Sequence, residues 1–298
     1  GYELEITATP VLTRDFRWNT TLTWSKNDNK ILSLAEGADE NQVISTVGTA
    51  SIIGRVGGTT GDLWGYKLVR DPEGNVIIGD NGLPEQADEI EYVGTAYADW
   101  KAGWYNEFSY KGFKLGILLD GQVGGTIYSM SFHKMMEQGK LTQSLNGRLP
   151  GTEYYMDAND PRIAAAGYTP QSGMYMIAPG VVRNDDGTFS PNTKVVTIES
   201  FYKEYYRRAN VETNSFDASF LKIREIRLEY ELPKKVLEKS PFSKASIAVY
   251  GRNLWCFTDY PLFDPESVAL DGSSMVSGIE TGSLPTTRTF GFNLNLTF

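Results

Sequence analysis

The 298-residue sequence holds one cysteine and one histidine. A single cysteine, Cys256, excludes an intrachain disulfide framework and any Cys-rich zinc or iron–sulfur site. A single histidine, His133, leaves no His-based metal centre and no catalytic histidine pair. It stands beside Lys134 in a Met-rich stretch, outside any nucleophile motif, so no catalytic, cofactor-binding or metal-ligating residue is assigned and no enzyme activity is expected. Basic residues are also short: 28 Lys and Arg against 37 Asp and Glu give a net charge of -9. That balance is the reverse of what phosphate-backbone binding needs, and nucleic acid is excluded as a partner. No apolar run approaches the length of a transmembrane helix, and the mean hydropathy is -0.32. Neither fact weighs against a membrane β-barrel, whose alternating strands average out as polar. The opening Gly1-Tyr2-Glu3-Leu4-Glu5 has no basic stretch before an apolar core, so no signal peptide is read there. The expectation is either a cytoplasmic chain or one that begins downstream of its targeting region.

What the sequence does have is period-two alternation, and it recurs. Tyr2, Leu4, Ile6 and Ala8 alternate with Glu3, Glu5, Thr7 and Thr9. Phe16, Trp18, Thr20, Leu22 and Trp24 form a second apolar set, and Phe113, Leu115, Ile117 and Leu119 a third. Ile226, Leu228, Tyr230 and Leu232 follow, then Ala245, Ile247 and Val249. The cleanest run is the last, Phe290, Phe292, Leu294, Leu296 and Phe298. Between Leu221 and Ile223 on one side and Ile226 on the other, the phase slips by one residue near Arg224-Glu225, as a β-bulge requires. Helical periodicity is scarce, with its best instance over 129–139.

Connections alternate strictly between short and long. Short ones lie at 10–16, 110–113 and 232–244; long ones, rich in Gly, Pro, Asn, Asp and Tyr, at 26–102, 123–215 and 254–288. A compact soluble domain seldom tolerates loops of that length, whereas outer-membrane barrels combine tight turns at one end with long loops at the other. The expected fold is all-β: an antiparallel transmembrane β-barrel segment of about seven strands. A soluble β-sandwich with one wet face is the competing architecture.

Motifs of the last third sharpen this. Asp217-Ala218-Ser219-Phe220-Leu221-Lys222-Ile223-Arg224-Glu225-Ile226 resembles the "DASFLKLREV" strand of the SusC/RagA family of TonB-dependent outer-membrane transporters. Tyr230-Glu231-Leu232-Pro233, Gly251-Arg252-Asn253-Leu254, Asp264-Pro265-Glu266 and Pro285-Thr286-Thr287-Arg288-Thr289-Phe290-Gly291 are similar to further motifs of that family, in the same order. Tyr110-Lys111-Gly112-Phe113 and Arg183-Asn184-Asp185-Asp186-Gly187-Thr188 also match its turns and loops. The resemblance covers essentially the whole chain, but the family's signal peptide, TonB-contacting segment and plug are not found in it. Since such barrels have about 22 strands, residues 1–298 are read as the C-terminal portion of one, closed by another chain or by the rest of the same precursor.

The resemblance implies an integral outer-membrane position in the lipid bilayer, with extracellular loops and a periplasmic C-terminus. It also implies TonB-driven uptake of glycans or oligopeptides, a SusD-like lipoprotein lid over the loops, contact with TonB through the part outside this chain, and no cofactor. Phe298 resembles the terminal signal for barrel assembly. The rival functions are a passive porin or structural outer-membrane protein, and a soluble carbohydrate-binding β protein. Loop aromatics are the candidates for ligand or lid contact: Trp64, Tyr66, Tyr154, Tyr155, Tyr168, Tyr175, Trp255, Phe257 and Tyr260. Trp18, Trp24, Tyr230 and Tyr250 are candidates for an interfacial girdle. The charges Glu3, Glu5, Lys114, Asp120, Arg227, Glu229 and Glu231 are expected to line a wet lumen, mostly as solvated spacers or plug contacts rather than as a site. Asn184-Asp185-Asp186-Gly187-Thr188 and Asn27-Asp28-Asn29-Lys30 offer oxygens suited to calcium, but their spacing fits turns better.

Overall fold

The computed structural model describes residues 1–271 and 274–298. Among the described residues, seven long strands form one sheet: β1 (Tyr2–Leu12), β2 (Phe16–Lys26), β3 (Trp100–Tyr110), β4 (Phe113–Val123), β5 (Phe220–Glu231), β6 (Lys244–Phe257) and β7 (Thr289–Thr297). They pair in chain order and antiparallel throughout, an up-and-down meander whose outer edges, β1 and β7, are unpaired. The expected alternation of connections holds. Residues 13–15, 111–112 and 232–243 join strands at one end, here the turn end, and the long loops 27–99, 124–219 and 258–288 rise from the other. The tightest turn places Lys111 at φ 46° and Gly112 at φ 88°, two left-handed residues whose twist matches a hairpin.

Side chains alternate across the sheet, so register decides which face each strand gives to its neighbours. One row crosses all seven strands as Val11, Trp18, Phe108, Leu115, Leu228, Val249 and Phe292. The row beside it on the opposite face runs Asn19, Glu107, Gly116, Arg227, Tyr250 and Gly291. Two irregularities keep the faces consistent. The β1–β2 register shifts between Ala8 and Val11, around Pro10, and β5 shifts between Ile223 and Glu225 against both neighbours. The second is the bulge expected at Arg224.

The apolar face is uncovered. Leu4, Ile6, Leu228, Ile247, Val249, Phe290 and Phe292 are exposed, Phe292 by 77%. The buried hydrophobic clusters lie mainly in the long loops. Loop 27–99 folds into a small sheet of Gln42–Val47, Ala50–Gly54, Asp62–Gly65 and Glu91–Thr95. Loop 124–219 carries helices α1 (Met130–Glu137), α2 (Pro161–Ala165) and α3 (Ile198–Tyr205), and a single turn, α4 (Lys234–Leu237), sits between β5 and β6. The helical stretch expected at 129–139 is α1, capped by Ser129, whose hydroxyl accepts the Phe132 N–H at 3.0 Å. No helix among the described residues is long and apolar enough to cross a membrane.

Candidate functional site

The polar face is a wall of paired charge. Its centre is the bulge, which turns Arg224 and Glu225 to the same face between Ile223 and Ile226. Arg224 donates through Nε and Nη2 to Asp120 Oδ2 on β4, at 2.8 and 2.5 Å, and through Nη2 to both oxygens of Glu266. Lys222, two residues earlier and 3% exposed, donates to Asp264 Oδ1 at 2.6 Å and to Glu266. The ring of Phe220 lies 4.6 Å from the Lys222 ammonium. Asp264 and Glu266 come from loop 258–288, and Asp264 Oδ1 also accepts the Glu266 N–H at 2.9 Å, which sets the two carboxylates side by side. Glu225 takes Arg252 Nε at 2.6 Å, Arg227 pairs with Glu229 at 2.7 Å, and Lys114 with Glu231 at 4.0 Å. Asp120 is therefore bonded into the Arg224 cluster, while Arg227 and Glu229 form a separate pair two residues apart on β5. The motif residues of the last third mostly meet here.

The remaining motif residues close the seams between strand and loop. Asp217 Oδ1 accepts the Ser219 N–H, Ser219 Oγ accepts the Gly124 N–H, and Thr258 Oγ1 donates to the Ser219 carbonyl. Asn253, left-handed at φ 51°, donates to the Thr287 carbonyl at 3.2 Å, and the Arg288 guanidinium lies 5.8 Å from the Trp255 ring. Pro265 is buried between the two acidic members of its motif.

Within loop 124–219, α1 packs on α3 around aromatic rings, with Phe201 and Tyr205 stacked at 5.2 Å and Tyr202 and Tyr206 at 6.0 Å. Tyr202 donates to the carbonyls of Gln143 and Asn146, and burial pushes its phenol up to about 12. Helix α3 was missed in the sequence although its signal is there: Thr197 caps it, and Ile198, Phe201, Tyr202 and Tyr205 fall at i, i+3, i+4 and i+7. The carboxylate of Glu280, 1% exposed, is a second unforeseen centre. It accepts the hydroxyls of Ser129 and Ser131 at 2.6 and 2.7 Å and the Ser283 N–H at 2.8 Å, tying loop 258–288 to the start of α1. Nothing periodic marks such a residue.

His133 is buried in the same core. Its Nδ1–H donates to the Tyr206 carbonyl at 2.6 Å and its Nε2 faces Glu137 at 3.8 Å. Burial holds its pKa below the ordinary 6.5, against the Tyr206 bond and Glu137, which raise it. Above that value folded and unfolded chains are both neutral here. As pH falls through it, the unfolded chain gains a proton that the folded chain refuses, so stability is lost on acidification. Amide protection factors in α1 and α3, with the intrinsic pH dependence of exchange divided out, are expected to fall between pH 7.5 and 5.5 in the wild type and less so in His133→Gln; an equal fall in both would refute the assignment.

The aromatic candidates separate into groups. Trp64, Tyr66, Tyr154, Tyr155 and Tyr168 are half-buried in the loops; Trp64 meets Tyr92 edge-on at 6.1 Å and Tyr168 lies against Tyr175 at 4.8 Å. Tyr175 and Tyr260 are buried. Trp255 and Phe257 correct the expected strand boundary. They stand on β6, opposite Ile223 and Leu221, on the apolar face. Trp18, Trp24 and Tyr230 also fall on that face, but Tyr250 does not: it pairs with Arg227 and Gly291 on the polar side, under Arg252 at 5.0 Å. Gly291 leaves the room, since a Cβ there would meet the Tyr250 ring at 2.5 Å. Asn184-Asp185-Asp186-Gly187-Thr188 is a hairpin turn, with Asp186 Oδ1 bonded to Thr188 and Gly187 at φ 82°. At 27–30, Asn29 is bonded to Thr60.

No protein-family model matches the chain. Three TonB-dependent receptors of Formosa agariphila are similar along the whole of it, with identities of 26%, 24% and 22%. The chain spans only 28%, 29% and 30% of their respective lengths. Among solved structures, the RagAB peptide importer in its closed-closed state superposes on 99% of this chain and 29% of its own, with a TM-score of 0.62 at 15% identity. Its open-open state gives 0.60 at 14% identity, over 99% of this chain and 28% of that one. The resemblance to SusC/RagA-type TonB-dependent transporters read from the motifs thus extends from end to end, and the fold is that of an antiparallel β-barrel wall.

Proposed function

We propose that the chain is the C-terminal portion of the barrel of a TonB-dependent outer-membrane importer, taking up glycans or oligopeptides under a SusD-like lipoprotein lid. One observation carries this reading: a meander with an uncovered apolar face, a charged polar face and two unpaired edges, in a chain similar throughout to TonB-dependent receptors. An open sheet cannot lie in lipid with unsatisfied edges, so strands outside this chain complete it, along with the plug and the TonB contact. Eleven-residue strands at a rise of about 3.4 Å and a tilt near 40° cover a band about 26 Å tall, which matches the apolar belt of such barrels. The long loops face outward and the turns face the periplasm. In this setting Phe298 serves barrel assembly, and Trp64, Tyr66, Tyr154, Tyr155 and Tyr168 offer ring surface to lid or ligand.

The test uses the full-length protein in its own cells. It should fractionate with the outer membrane, run with heat-modifiable mobility, and support growth on a glycan or peptide source only while TonB is present. Uptake that persists without TonB, or steady ion conductance in a planar bilayer, would favour the passive-pore reading. Recovery as a detergent-free soluble protein would remove the barrel altogether.

A further inference from the structure

The turn end of the sheet carries charge opposite to the rest of the chain. The three short connections and the charged strand residues that abut them hold eight cations, Arg14, Arg17, Lys111, Lys114, Lys234, Lys235, Lys239 and Lys244, against three carboxylates, Asp15, Glu231 and Glu238. Eight against three leaves a surplus of five, while the rest of the chain holds 20 cations against 34 carboxylates, a deficit of fourteen. Seven of the eight form no ion pair among the described residues; only Lys114 does, with Glu231 at 4.0 Å. The same seven are exposed, and Lys114 is half-buried. This contrasts with the polar wall, where Lys222, Arg224, Arg227 and Arg252 are each held by a carboxylate.

Their position also matters. Phe16, Tyr110, Phe113 and Tyr230 form one register row on the apolar face immediately beside these turns. Aromatic rings in that place mark the level of lipid headgroups, so the cations lie at and just beyond it. Val236, 63% exposed, sits among Lys234, Lys235 and Lys239, an apolar group with lysines around it, as at a membrane surface.

We propose that the turn end docks the anionic headgroups of phospholipids in the adjacent leaflet, with Lys234, Lys235 and Lys239 of the turn between β5 and β6 as the main contacts. The proposal rests on the barrel reading. A fixed field of unpaired lysines at headgroup level gathers acidic lipid around the wall, and the acidic remainder of the chain keeps the opposite end free of it.

The experiment reconstitutes the full-length protein in phosphatidylcholine vesicles containing a trace of spin-labelled phosphatidylglycerol or spin-labelled phosphatidylcholine, and reads the motionally restricted fraction of each. Phosphatidylglycerol should associate preferentially, by about fivefold at low salt, and the preference should shrink in strong salt, a readout that needs no variant. K234Q/K235Q/K239Q should bring the two lipids close to parity. Equal association in the wild type, or a preference untouched by the three substitutions, overturns the proposal. So does salt-sensitive capture of a labelled polyglutamate peptide by wild-type protein that shows no lipid preference, since that assigns the surface to an acidic polypeptide. Absence of heat-modifiable mobility in the wild type would instead sink the barrel reading, so the two fail separately.

Discussion

Lys222→Met is expected to destabilise the folded protein by about 3–5 kcal/mol, the range for removing one partner from a buried ion pair. The side chains of Lys222 and Asp264 are each 4% exposed. Losing the ammonium leaves the Asp264 carboxylate in a dry site with one backbone N–H, from Glu266, as its donor. Glu266 fares better, because Arg224 still reaches both of its oxygens. The damage should therefore centre on Asp264 and spread along loop 258–288 rather than through the sheet. A second substitution tests that logic. Asp264→Asn removes the stranded charge and keeps an oxygen for the Glu266 N–H, so Lys222→Met with Asp264→Asn should cost less than the two single changes added together, by about 1 kcal/mol or more. Urea unfolding of the full-length protein in vesicles measures the cycle, and amide exchange over 258–271 locates it. A single-variant cost below about 0.5 kcal/mol would show that this buried network contributes nothing beyond a surface contact.

The same residues show what was legible in sequence and why. Strands announce themselves through a period of two, so the seven strands, the alternating connections and the Arg224 bulge could be read without coordinates. The bulge is a phase error within a periodic signal, the kind of departure that pattern reading detects. The pairing of Lys222 with Asp264 has no such signature: 42 residues separate them, and any of several loop carboxylates satisfies the same composition. Motif resemblance marked both residues as important but left their contact unseen. Trp255 and Phe257 were misplaced for a related reason. The strand runs on past left-handed Asn253, whose conformation, with a break of β5–β6 register beside it, imitates a strand end. Glu280 and α3 differ in kind. The buried carboxylate had no readable mark, whereas the helix had a cap and a spacing that went unused among many tyrosines.

The assignment of faces leads to the sharpest contrast available within one strand. Thr21 and Leu22 are neighbours near the middle of β2. Leu22 lies between Ile6 and Trp104 on the apolar face, and Thr21 between Thr7 and Tyr105 on the polar face. If the uncovered face meets hydrocarbon, Leu22→Arg should cost about 2–4 kcal/mol, the penalty for a cation on the lipid side near mid-depth. Thr21→Arg should cost no more than about 1 kcal/mol, because the wall it joins is wet and already holds guanidinium groups on carboxylates. Helix or strand propensity does not separate the two changes, since both place the same side chain in the same strand. Nor does general disruption, since the two sites are one residue apart. Unfolding of the full-length protein in vesicles gives the difference directly, and heat-modifiable mobility reports whether each variant assembles. Equal costs would mean that both faces see the same solvent, and the membrane reading of the sheet would fail with them. The reverse order would place lipid against the charged wall, where Lys222, Arg224, Asp120 and Glu266 make that physically untenable without a different register.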